Sequence, residues 1–205
     1  MITNQLYNVV NNVWPMVLIF IIVVSIVRLF SLYSHNQKIV LYKEFISLVF
    51  IVYLLLLFEL VSNTDMQSYG NNFVPFNEML RYEFFSEGFY KNVVGNILLF
   101  IPFGVYLVYF IHKCSIIKAT FIILVTSYTV ELVQSRIGRS YDIDDIILNL
   151  VGGIVGFLIG KLLYKISKKV PRIFKKELVL NIVVILFTIC TFVLLLNYLG
   201  LWEIF

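Results

Sequence analysis

Between residues 16 and 33 the chain carries one formal charge, Arg28, and similar apolar runs recur at 41–61, 92–111, 116–133, from Asp144 or Asp145 to about 160, and at 179–196. A run of roughly 20 such residues crosses hydrocarbon as a helix, because a helix satisfies its backbone polar groups within the segment. The 205 residues are 60% hydrophobic and only 14% charged, and soluble domains carry nearly twice that charge. No polar segment is long enough for a separate soluble domain. The expected fold is therefore all-α, a polytopic integral membrane bundle of about six transmembrane helices in the cell (cytoplasmic) membrane.

The bases give the orientation. The connections after the first, third and fifth runs, counted with the opening residues of the runs that follow, hold eleven Lys and Arg, those after the second and fourth hold four, and cytoplasmic connections are the basic ones. Both termini are then external, N-out and C-out. The net charge of +4 is explained by topology, and no basic run interleaved with aromatics suggests nucleic acid. Cys114 and Cys190 lie at different depths, so no disulfide is expected. The start of the chain has no basic segment and no small-residue cleavage site, so a cleaved signal peptide is not expected either.

Along the chain, Trp14 and Pro15 suggest an interfacial start for the first run, with Pro15 in its first turn. Arg28 near the inner end favours snorkelling over a pairing with Glu44 or Glu59. His35, without a second ligand at metal spacing, reads as a loop histidine. The connection over 62–91 contains Phe73, Phe76, Phe84 and Phe85. It is too aromatic for a disordered linker, so the segment 72–77, N-F-V-P-F-N, reads either as an ordered cap or as an aromatic belt at headgroup depth.

The polar residues gather in a few places. Asn92 and Asn96 lie four apart at the head of the third run, ahead of Pro102 and Gly104. Ser127, Glu131 and Gln134 follow one another by four and three on one face of the fourth run. Asp145, Asn149, Gly152, Gly156 and Gly160 make a stripe along the fifth, of the kind that lets a neighbouring backbone approach. With the orientation above, all of these ends face outward. Asn77, Asn92, Asn96, Glu131, Gln134, Arg136, Arg139, Asp142, Asp145 and Asn149 are accordingly the candidates to line one external pocket. Ionisable groups at this depth are expensive to hold in hydrocarbon and point to function.

Glu131 and Asp145 are the catalytic candidates, as acid and base. No cofactor is expected; the one option is a divalent cation at Glu131, Asp142 and Asp145. Asp142 and Asp145 would share a helical face while Asp144 points elsewhere, so Asp142 or Asp144 caps the fifth helix. Arg136 and Arg139 could clamp an anionic group, or neutralise Glu131 and the aspartates in a structural network. No serine or cysteine stands beside a histidine, so an enzyme would have to work with carboxylates and arginines.

Three motifs, N-x-x-x-N-I-L-L-F-I-P-F-G from Asn92 to Gly104, E-x-x-Q-x-x-I-G-R from Glu131 to Arg139 and D-I-D-D-I-I-L-N-x-x-G-G-x-x-G from Asp142 to Gly156, together resemble the VanZ-like family of bacterial membrane proteins. The resemblance extends over 72–165 and divides the chain. Residues 1–71 hold two spans and the start of the external loop, 72–165 the family-like core, and 166–205 a basic cytoplasmic loop and the last span. It implies a Gram-positive membrane protein associated with resistance to teicoplanin and related lipoglycopeptides. Its partners would be membrane lipids and an anionic envelope molecule or the lipoglycopeptide itself. A membrane enzyme acting on a lipid-linked wall or teichoic-acid intermediate, and a lipid or small-molecule transporter, are the rival readings.

Overall fold

The computed structural model describes residues 2–62, 71–77, 79–111, 113–137 and 140–198. They form helices α1 (Ile2–Ser34), α2 (Leu41–Ser62), α3 (Gly95–Phe110), α4 (Ile116–Arg136), α5 (Ile143–Lys169) and α6 (Glu177–Tyr198). Short 3-10 turns stand at Met79–Arg81 and Arg172–Lys175, and a π-helical turn, Phe89–Val94, leads directly into α3. Among the described residues the β content is one isolated bridge, between Asn72 and Asp142.

Among the same residues, Pro15–Ser34, Leu41–Glu59, Phe89–Phe110, Ile116–Arg136 and Ile143–Lys169 are long and apolar enough to cross a membrane, while α6 contributes the shorter apolar stretch Glu177–Thr191. Their outer faces are apolar. Phe30 is 71% and Ile117 78% exposed, and apolar surface on this scale is stable against lipid rather than water. The protein is a helical membrane bundle.

The chain divides into two compact units, one built on Leu55–Lys168 with the start of α1, the other on Asn12–Leu54 and the described chain from Lys169 onward. The core of the first is α3, α4 and α5, where Phe100, Ile123 and Phe157 are buried. Glycine makes this packing possible. A Cβ on Gly152 or Gly156 would fall on the carbonyl of Ile97 or Ile101, and one on Gly104 would fall on the carbonyl of Gly153. The α3 and α5 backbones are thus in direct contact, an approach that small residues allow in lipid. On the next face of α5, Gly153 abuts the Ile123 side chain of α4.

In the second unit, Arg28 of α1 grips Glu44 of α2 at two points, Nε to Oε2 at 2.8 Å and Nη2 to Oε1 at 3.1 Å. The sequence favoured snorkelling over a pairing; the structure shows the pairing, in which one carboxylate satisfies two guanidinium N–H groups. Asn181 of α6 accepts the Tyr42 backbone N–H at 3.0 Å, and Phe45 meets Phe187 edge to face.

Two boundaries differ from the expectation. Pro15 lies inside a continuous helix rather than in its first turn, since one missing N–H interrupts a single bond of the ladder. The third membrane helix begins at Phe89 rather than Asn92, because the π turn extends it toward the loop.

Candidate functional site

Ser127, Glu131 and Gln134 share one face of α4, and all three are buried, Glu131 to 1% exposure. The spacing of four and three puts them in line, and α5 supplies the surface that covers them. Asn149 donates its Nδ2 to Ser127 Oγ at 3.1 Å, joining the two helices below the carboxylates. Above that bond, Glu131 Oε1 accepts the backbone N–H of Asp142 at 2.6 Å. The end of α4 thereby holds the beginning of α5.

Asp142 is the cap of α5. Its Oδ1 accepts the Asp144 N–H at 2.9 Å, satisfying one of the donors that a helix start leaves unpaired. The same oxygen accepts Asn72 Nδ2 at 2.8 Å. Asn72 also pairs through its backbone, its N–H to the Tyr141 carbonyl at 2.8 Å and its carbonyl to the Ile143 N–H at 3.1 Å. Asn71 Oδ1 accepts the Tyr141 N–H at 2.9 Å. The loop that carries Asn71 and Asn72 is therefore laid against the turn that precedes α5.

Asp144, which the helical-face argument pointed away from the site, is buried to 1% exposure. Its Oδ1 accepts the Phe76 N–H at 2.5 Å and its Oδ2 the Met79 N–H at 3.0 Å. One carboxylate thus grips the loop at two backbone positions. As a cap, Asp142 lies outside the helix and shares no face with Asp145. The sequence offered Asp144 as a possible cap of the fifth helix and Asn72 as the start of an ordered segment over 72–77; that Asp144 holds this loop by its backbone amides was not foreseen.

Asp145 meets α3: its Oδ1 accepts Asn96 Nδ2. Asn92 turns away, donating its Nδ2 to the Gly88 carbonyl one turn earlier at 3.0 Å. Asn77 is exposed in the loop, and Arg136 is exposed at the last residue of α4. Among the described residues Arg136 has no ion-pair partner. Arg139 lies outside the described residues, as does His112. Of the predicted set, Asn96, Glu131, Gln134, Asp142, Asp145 and Asn149 lie where α3, α4 and α5 meet, and Asn77, Asn92 and Arg136 stand apart.

No group of three or more His, Cys, Asp or Glu among the described residues is arranged to hold a metal ion. Glu131, Asp142 and Asp145 are separated by what they bind: a backbone amide, a helix start with Asn72, and Asn96. Tyr141, whose ring stacks on Phe73 at 5.2 Å, has its phenol pKa raised, first by burial and then by Tyr128 and Glu131. Chemically, the arrangement is a web of carboxylates and amides that joins three membrane helices and the loop ahead of α3.

A family model described as VanZ/LLP1 matches residues 16–164. The match begins well upstream of the motifs and takes in both N-terminal apolar helices. The protein VanZ of Enterococcus faecium is 29% identical over 110 residues, which cover 53% of this chain and 63% of that protein. The chain thus matches less than two thirds of that relative's length. No solved structure matches.

Proposed function

The chain belongs to the VanZ/LLP1 family, and on that premise we propose that it is a multi-pass protein of the cytoplasmic membrane that contributes to resistance against teicoplanin and related lipoglycopeptides. It acts on the outer side, by binding or altering an anionic envelope component, or the drug itself, at the polar web headed by Glu131, Asp142, Asp144 and Asp145. Both termini are external, as the distribution of bases argues.

The observation that carries this reading is the burial of two carboxylates, Glu131 and Asp144, each 1% exposed, at one end of a membrane bundle. Apolar residues would hold three helices together at least as well, so carboxylates in this place indicate a task. Arg136, exposed at the end of the helix that carries Glu131, is the described cation nearest in sequence for an anionic ligand. Buried Glu131 and half-buried Asp145 also fit the second reading, an enzyme acting on a lipid-linked wall intermediate. Against a transporter stands the direct α3–α5 backbone contact at Gly104, which leaves no passage between these two helices.

The test uses wild type, Glu131→Gln and Asp145→Asn at matched membrane levels in a susceptible Gram-positive host, with inhibition by teicoplanin and vancomycin measured side by side. Selective protection against teicoplanin, which carries the lipid tail, together with loss in both variants is the expected result. Wild type without protection refutes the resistance role, and protection by both variants refutes the site.

A further inference from the structure

The loop that Asp144 holds exposes what a loop in water would hide. Phe73, Phe76, Leu80, Phe84 and Phe85 are all more than half exposed, Phe85 to 79%. Their backbone is nevertheless tied down. Phe76 and Met79 are bound to Asp144, the Val74 N–H is bound to Asn72 Oδ1 at 3.1 Å, and the Phe89 N–H is bound to Ser86 Oγ at 3.1 Å. Two of the exposed rings stand on left-handed backbone, Phe76 at φ 69° and Phe85 at φ 65°. That conformation is unfavourable for a bulky residue and persists only where the surroundings enforce it.

The position of the loop identifies what covers it. Phe84 rests on Phe89, the first residue of the span Phe89–Phe110, with ring centroids 5.4 Å apart, and Phe85 lies beside Tyr90 at 6.4 Å. At its other end, Asn72 is bridged to Asp142, next to the span Ile143–Lys169. The loop is therefore fastened to the heads of two membrane helices, at the depth where the bilayer meets water. Its exposed rings continue the apolar surface of a span, and aromatic side chains are the residues that favour this zone. We propose that Phe73, Phe76, Leu80, Phe84 and Phe85 form an interfacial wedge whose side chains enter the outer layer of the bilayer, with Asp144 as the anchor that fixes its depth. This goes beyond the resistance reading and does not depend on it.

The full-length chain with Trp14→Phe and Trp202→Phe provides a silent background for single reporters at Phe76→Trp and Phe85→Trp. Each is reconstituted in vesicles of phosphatidylcholine and phosphatidylglycerol, with acyl chains brominated near the headgroup or near the chain end. Expected are blue-shifted emission, quenching severalfold stronger from the shallow bromine than from the deep one, and weak quenching by iodide. Strong iodide quenching without a bromine effect would place the loop in water and overturn the proposal. Blue-shifted emission insensitive to both quenchers would mean that a second copy of the chain covers the rings, which overturns it as well. Should a tryptophan variant fail to fold, a nitroxide on Phe84→Cys, with Cys114→Ser and Cys190→Ser, reads the same depth from its accessibility to oxygen against a water-soluble nickel chelate. Higher oxygen accessibility is expected, and higher nickel accessibility overturns the proposal.

Discussion

Glu131 accepts the backbone N–H of Asp142, eleven positions further along the chain, at 2.6 Å, so a buried side chain near the end of α4 defines where α5 begins. A carboxylate bound to a main-chain amide makes a stronger hydrogen bond than a neutral acceptor does. Its removal also leaves that amide without this acceptor at the start of a helix. Glu131→Ala is therefore expected to destabilise the protein by about 1–3 kcal/mol, and Glu131→Gln by less. Thermal unfolding in detergent, followed by size-exclusion chromatography, checks the order; equal loss in both would show that the hydrogen bond is not what matters.

Asp142 closes the other side of this arrangement as the cap of α5. Asp142→Ala is expected to lower stability by about 0.5–2 kcal/mol, and Asp142→Asn, which still caps, by a few tenths. The same unfolding assay distinguishes them.

Asp144→Asn keeps the size of the side chain but leaves one oxygen where two now accept the Phe76 and Met79 amides. Hydrogen exchange at those two amides is expected to quicken, while exchange in the middle of α5 stays as in wild type. Unchanged protection in the loop would show that Asp144 is not its anchor.

The glycines should separate by what they touch. A Cβ on Gly156 meets the Ile101 backbone, which cannot move aside, whereas on Gly153 it meets the Ile123 side chain, which can. Gly156→Ala is expected to reduce the folded yield strongly, by more than the roughly 1–3 kcal/mol typical of overpacking, and Gly153→Ala to fall within that range. Equal yields of folded protein from the two would contradict the direct α3–α5 contact.

Tyr141 gives a dependence on pH. Its phenol pKa is raised above the ordinary 10.0, chiefly by burial, so the folded state keeps a proton that the unfolded state loses. Stability from this group is then complete below the ordinary value and declines as pH rises through the folded one. Tyr141→Phe should flatten the alkaline part of the stability curve relative to wild type, as measured by urea unfolding on both sides of that pH. An identical slope in the two proteins would refute it.

The helices were legible in the sequence because the bilayer imposes one rule on every segment, apolar length, and that rule reads residue by residue. Even the approach of two backbones could be read, since the α5 glycines recur at helical spacing and only small residues permit such contact. The buried face of Ser127, Glu131 and Gln134 followed from the same periodicity. What periodicity does not encode is the partner. Asp142, Asp144 and Asp145 are one residue type within four positions, yet one caps a helix, one holds a loop sixty-eight and sixty-five residues away by its amides, and one binds Asn96 of α3. Asn92 and Asn96 divide in the same way, the first turned to its own backbone by the π turn and the second to α5. A carboxylate takes whichever donors the assembled helices bring within about 3 Å of it, and most of those donors are backbone amides, which every residue but proline carries and which no sequence pattern marks. Composition and spacing determined that this chain is a membrane bundle with its polar groups gathered at one end; which group holds which was decided only when three helices and a loop came together.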